Sequence, residues 1–190
     1  MAICSYSNSL ICLVVLFLTM TSSTTKRDII TFPSNAHIDV SKLCSLVKNK
    51  DYCTNVLFSF PGIYGLYAKD IGDIFIDQAM YGAKDANNKL MDLIPKARGA
   101  QKSHLKYCKG PYCNQFYTSF LQKEQGNLSW LLGQQDYIGL KREADILAKH
   151  AIDCEESFKP APSPLMTLQN TNFFNSVDMI STFSYLLIHQ

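Results

Sequence analysis

The chain has 190 residues, room for one ordinary domain, with 47% apolar and 18% charged side chains. That balance excludes a disordered chain and allows one sizeable core. Eighteen Lys and Arg against 16 Asp and Glu give a formal net charge of +2, too weak and too evenly spread to argue for nucleic acid. Seven cysteines leave a small secreted or redox-active domain as the open question.

No charged side chain precedes Lys26, and Leu10 to Leu18 form an uninterrupted apolar run of nine, followed by Thr21, Ser22 and Ser23. Nine residues rise only about 14 Å as a helix, against a hydrocarbon core of roughly 30 Å. The pattern predicts a signal peptide over 1–23, cleaved near Ser23 or Thr25, although no Lys or Arg precedes the apolar run. A leader over 24–35 and a helical domain over 36–190 follow. No later segment approaches 18 apolar residues, so the mature chain is expected to be soluble and secreted.

Removing the signal removes Cys4 and Cys12 and leaves Cys44, Cys53, Cys108, Cys113 and Cys154. In an oxidising compartment that means two bridges and one thiol left over. Zinc competes, but no C-x2-C pair exists, so no metal ligand set is expected.

Val40, Leu43, Leu46 and Val47 recur at helical spacing, Lys48–Asp51 reads as a turn, and Val56, Leu57 and Phe60 resume before Pro61-Gly62. This predicts a short α-hairpin. Cys44 and Cys53 flank its turn, and a bridge closing so short a loop contributes roughly 2–3 kcal/mol in the loop-entropy model. Tyr67, Ile71, Ile74, Gln78, Gly82, Ala86, Leu90 and Leu93 then predict a long helix ended by Pro95. Asp70, Asp73 and Asp77 on its other face read as a solvated polar face.

A second helix runs from near Pro111 to Leu132 with Tyr112, Phe116, Phe120, Leu128 and Leu131, stopped by Gly133. Asp136 is the expected N-cap of a third, whose face carries Tyr137, Leu140, Ala144, Leu147, Ala151 and Cys154. Pro160–Pro164 is a rigid link, and a fourth helix places Leu168, Asn172, Asn175, Met179, Phe183 and Leu186 near its apolar stripe. Four long helices with short joins predict an all-α, up-and-down four-helix bundle preceded by a disulfide-stapled N-terminal hairpin.

Bundle geometry sorts the remaining cysteines. Cys113 lies 19 residues before Leu132 and Cys154 lies 17 after Tyr137, whereas Cys108 sits about 7 Å further out along a helix. Bridged Cα atoms approach within about 7 Å, which favours Cys113–Cys154 and leaves Cys108 unpaired or joining two chains.

Catalytic machinery is not evident. His37, His104, His150 and His189 share no motif with a cysteine, serine or acid, and there is no G-x-S-x-G, H-E-x-x-H or P-loop. No catalytic residue and no cofactor is expected. Asn127-Leu128-Ser129 is the one glycosylation sequon, near a helix end.

These features together resemble the plant invertase inhibitor and pectin methylesterase inhibitor family. The residues concerned are C-x8-C at Cys44 and Cys53, Cys113-x3-Tyr117, Asp136-Tyr137, Cys154-Glu155-Glu156-Ser157-Phe158, and Ser163-Pro164-Leu165 with Asn170. The likeness spans about 38–188. It implies a secreted cell-wall protein that blocks an enzyme by stoichiometric binding. Leu105-x2-Cys108-x3-Tyr112 also fits the third-cysteine pattern, so Cys108 stays open as the partner of Cys154. Some family members block invertases through a Pro-Lys-Phe segment. Here the matching turn reads Gln135-Asp136-Tyr137-Ile138-Gly139, which tilts the expectation to pectin methylesterase over invertase. The other class in play is a secreted structural or defence protein with no enzyme target.

Overall fold

The computed structural model describes residues 37–99, 113–157 and 165–189. Among them the fold is all-α, without strands; only His37 and Tyr67 pair their backbones as an isolated antiparallel bridge. Helices α1 (Val40–Leu46) and α2 (Lys50–Phe58) form the N-terminal hairpin. Asp39 caps α1 by accepting from the Lys42 N–H at 3.0 Å, and Asn49 caps α2 from Tyr52 at 3.0 Å. The turn is therefore shorter than the sequence suggests, because Asn49 recruits Lys50 and Asp51 into the helix. Cys44 and Cys53 are bridged across it, with Cα atoms 5.5 Å apart.

Helix α3 (Ala68–Lys96) is 29 residues long, about 44 Å. Pro95 lies inside its last turn rather than beyond it. Its buried stripe is Ile71, Phe75, Ile76, Ala79, Ala83, Ala86 and Leu90. Ile74, Gln78 and Gly82 are only half-buried, so the stripe centre is rotated by about one residue from the expected line. The cause is the run of alanines. They and Gly82 let α3 approach the last helix, Thr167–His189, so closely that a Cβ on Gly82 would stand 3.2 Å from the Phe173 Cα.

Helix α4 covers residues 114–133: Asn114–Ser119, a π turn at Phe120–Glu124, then Gln125–Gly133. Helices α5 (Tyr137–Ser157) and α6 (Thr167–His189) complete the bundle. Helix α6 packs between α3 and α5, while α4 packs on α3 and α5, and the hairpin lies against α6 and α3. Successive neighbours closed into a ring are the up-and-down arrangement.

The α4–α5 turn is not made by Gly133. Asp136 N–H reaches Leu131 O at 3.0 Å and Gln135 N–H reaches Leu132 O at 3.0 Å, a Schellman motif. The left-handed residue is Gln135, with φ of 57°. Asp136 then caps α5, its Oδ1 accepting from Gly139 N–H at 2.9 Å. Every residue of the α5 stripe from Tyr137 to Cys154 is buried where the spacing puts it.

Helix α6 is buried on most of its circumference, including Ser176 and Ser184. Their hydroxyls donate to Asn172 O at 2.9 Å and Ile180 O at 2.8 Å, which satisfies them inside the core. Leu168, expected on the stripe, is 65% exposed. It lies about 12 Å along the axis from Ser176, where Tyr52 of the hairpin docks.

Candidate functional site

Five of the residues that the sequence singled out, Cys113, Tyr117, Cys154, Glu155 and Asn170, meet in one interior junction. Cys113 opens α4 and is bridged to Cys154 near the end of α5 (S–S 2.38 Å, Cα–Cα 5.5 Å). One turn inward, the Tyr117 hydroxyl donates to Asn170 Oδ1 at 2.7 Å. The Asn170 amide donates to Glu155 Oε2 at 2.7 Å, and Thr167 donates to Glu155 Oε1 at 2.5 Å. Helices α4, α5 and α6 are thus tied by one polar chain. No described buried side-chain nitrogen or oxygen lacks a partner. Burial, and then the Glu155 charge, push the Tyr117 hydroxyl pKa up, so it remains a donor. Thr167, the second donor to Glu155, carried no signal in the sequence.

Around this chain the bulky residues of α4 become an aromatic nest. Phe173 stands edge-on to Phe116, Tyr117 and Phe120, with centroids 5.5, 5.4 and 5.1 Å away. Tyr137 is 5% exposed and edge-on to Phe183 at 6.4 Å, and burial raises its pKa. It packs the core and offers nothing to a partner.

The described histidines do not assemble with nucleophiles or acids. His37 lies against Tyr67 at 5.0 Å, His150 against Phe116 at 5.1 Å, and His189 contacts its own helix at Tyr185 O. Asp70 accepts from Tyr67 N–H at 3.0 Å at the start of α3, and Asp73 pairs with Lys69 at 2.5 Å. Among the described residues no group of three or more His, Cys, Asp or Glu is placed to hold a metal ion. No described helix is long and apolar enough to cross a membrane.

Large apolar side chains are exposed on several elements, among them Tyr64, Tyr81 and Met91, and also on the outer surface of α4 and α5. Trp130 near the end of α4 is 61% exposed, and Ile138 in the first turn of α5 is 62% exposed. Arg142, Lys149 and Ile152 continue the exposed face of α5. Exposed large apolar groups on rigid helices mark interaction surfaces more often than scattered single ones do. Asn127 and Ser129 of the sequon are both exposed, on α4. Residues 1–23 and 24–35, Cys108, His104, Pro111, Phe158 and Pro160–Pro164 lie outside the described residues.

The fold matches a crystal structure of a mutant form of a pectin methylesterase inhibitor from Arabidopsis. The TM-score is 0.64 and the identity 15%, over 77% of this chain and 95% of that one. At that identity the likeness shows the fold alone, an all-α bundle. No family model and no curated protein matches the sequence.

Proposed function

We propose that this protein is a secreted, non-catalytic inhibitor that binds a plant pectin methylesterase one to one and covers its substrate cleft. The observation that carries the reading is the fold likeness, which extends over almost the whole of an inhibitor of that enzyme. The interior supports it. The residues shared with the family serve a bonded scaffold, not a nucleophile and base, so activity toward a partner has to come from the surface.

The α4–α5 tip supports pectin methylesterase over invertase. Tyr137 is turned into the core, and the exposed residues of the turn are Gly133, Gln134, Asp136 and Ile138. None is a long wedge for a deep sugar pocket, whereas a broad helical face suits a cleft that holds a polymer. A standard interface of about 1,600 Å² in total fits one side of such a bundle. In this reading 1–23 is a signal peptide, 24–35 a leader and 36–190 the inhibitor domain, working in the cell wall without a cofactor. Cys44–Cys53 and Cys113–Cys154 are its bridges, Cys108 is unpaired, and Asn127 is the glycosylation candidate.

Paired inhibition titrations at mildly acidic pH test this. Near-stoichiometric loss of pectin methylesterase activity, with invertase untouched, is the expected result. Loss of invertase activity alone would transfer the reading to that enzyme. No effect on either would leave a structural or defence role, and turnover by the protein itself would end the inhibitor reading.

A further inference from the structure

Away from the α4–α5 tip, the first half of α4 parts from α5. The contacts of α4 with α5 run chiefly through Gln125–Gly133. Between Phe120 and Leu128 the helix sends no fully buried side chain inward, and the π turn occupies that interval. A π turn admits an extra residue and commonly marks a functional position in a helix. The result is a groove of about 610 Å³ between the two helices, with Gln122, Lys123 and Glu124 of the π turn on its wall. That volume falls within the range of small-molecule sites, roughly 300–1,000 Å³.

We infer that this groove binds a short, uncharged saccharide. Its floor is apolar, formed by Phe116 and Leu147, and suits the C–H face of a sugar ring. Its rim is dense in hydrogen-bonding groups: Gln115, Gln122 and Lys123 donate, and Glu124 and Glu143 accept. Glu143 is already paired with Arg142 at 3.3 Å, which leaves Lys123 against Glu124, with His150 also on the lining, so the fixed charges select neither an anion nor a cation. A flat hydrocarbon ligand would leave the rim groups unpaired as it displaced their water. A polyhydroxylated ring meets both kinds of wall at once. Trp130, Ile138, Arg142 and Lys149 are not among the residues lining the groove, so its occupancy is read separately from enzyme inhibition.

The test is protein-observed NMR on the full mature chain, titrated with cellobiose and maltotriose as uncharged probes, digalacturonate as an acidic one and chitobiosamine as an amine. The expected result is saturable shifts at Gln115, Ser119, Gln122 and Glu143 with the uncharged probes, at millimolar affinity. Gln115→Ala and Gln122→Ala are both rim changes at exposed residues that leave the core intact. Each is expected to weaken binding about tenfold without altering the inhibition titration. The inference is overturned by the absence of saturable shifts, by unchanged binding in both variants, or by tighter binding of the acidic or amine probe.

Discussion

Asn170 is the keystone of the interior polar chain, and replacing it with alanine has a calculable effect. Its side chain makes two bonds, accepting from Tyr117 and donating to Glu155, and the residue is 2% exposed. Asn170→Ala strands the Tyr117 hydroxyl, which is fully buried, at about 1–3 kcal/mol. Glu155 is half-buried and retains Thr167 and access to water, so its loss is smaller, about 1 kcal/mol. The expected destabilisation is therefore about 3 kcal/mol. Tyr117→Phe removes the same bond from the other side, at about 1–2 kcal/mol. Because the two share one hydrogen bond, the double variant is expected to fall short of their sum by about 1 kcal/mol or more. Urea unfolding with both bridges oxidised measures all three, at an unchanged slope. If Asn170→Ala loses less than about 1 kcal/mol, or the pair is strictly additive, the junction is not what holds α4, α5 and α6 together.

Gln135 occupies a left-handed conformation that glycine adopts without strain, so Gln135→Gly is expected to stabilise the chain by about 1 kcal/mol in the same assay. Burial raises the Tyr117 pKa above its ordinary value near 10, so the folded state holds the proton longer than the unfolded one. Stability from this group is complete below pH 10 and declines as pH rises beyond it; Tyr117→Phe is expected to flatten that decline. The Cys113–Cys154 bridge closes a 41-residue separation, worth about 4 kcal/mol by loop entropy. Non-reducing peptide mapping is expected to recover that pair, and a Cys108–Cys154 peptide would contradict it.

Legibility followed how strictly each helix obeys one periodicity. Helix α5 was readable to the residue, because a capping Asp136 sets its phase and every core position from Tyr137 to Cys154 is apolar. In α3 the alanines at 79, 83 and 86 form the true line of contact, but Ile74 pulled the expected stripe to one side, since small residues signal close approach weakly. Helix α6 was hardest. Surrounded by α3, α5 and the hairpin, it buries serines that bond back to their own helix, and Asn170, whose hydrogen bonds are formed only in the fold. Leu168 failed for the complementary reason: an apolar residue is buried only where a neighbour reaches it. The π turn left no local signal beyond the long gap between Phe120 and Leu128. The polar chain was partly visible as separate motifs, yet nothing in their spacing told that Tyr117, Glu155 and Asn170 would meet.

That meeting explains why these motifs leave a target open. Cys113, Tyr117, Cys154 and Asn170 are all buried, so none of them can touch another protein. They preserve the way three helices dock, and any target compatible with that scaffold is compatible with them. Under the proposed function, target choice falls to exposed positions such as Trp130, Ile138, Arg142 and Lys149, which the core leaves unconstrained. Trp and Arg dominate interface energetics when they become buried against a partner, at about 2 kcal/mol or more for each strong contact. Trp130→Ala and Ile138→Asp are therefore expected to weaken inhibition of the target by about tenfold or more while leaving the urea midpoint within about 0.5 kcal/mol of the parent. Asn170→Ala, assayed where it is still fully folded, is expected to leave the affinity unchanged. The opposite pattern, with surface variants inhibiting normally and the folded Asn170 variant failing, would place recognition at the junction and remove the distinction between scaffold and surface on which the proposed function rests.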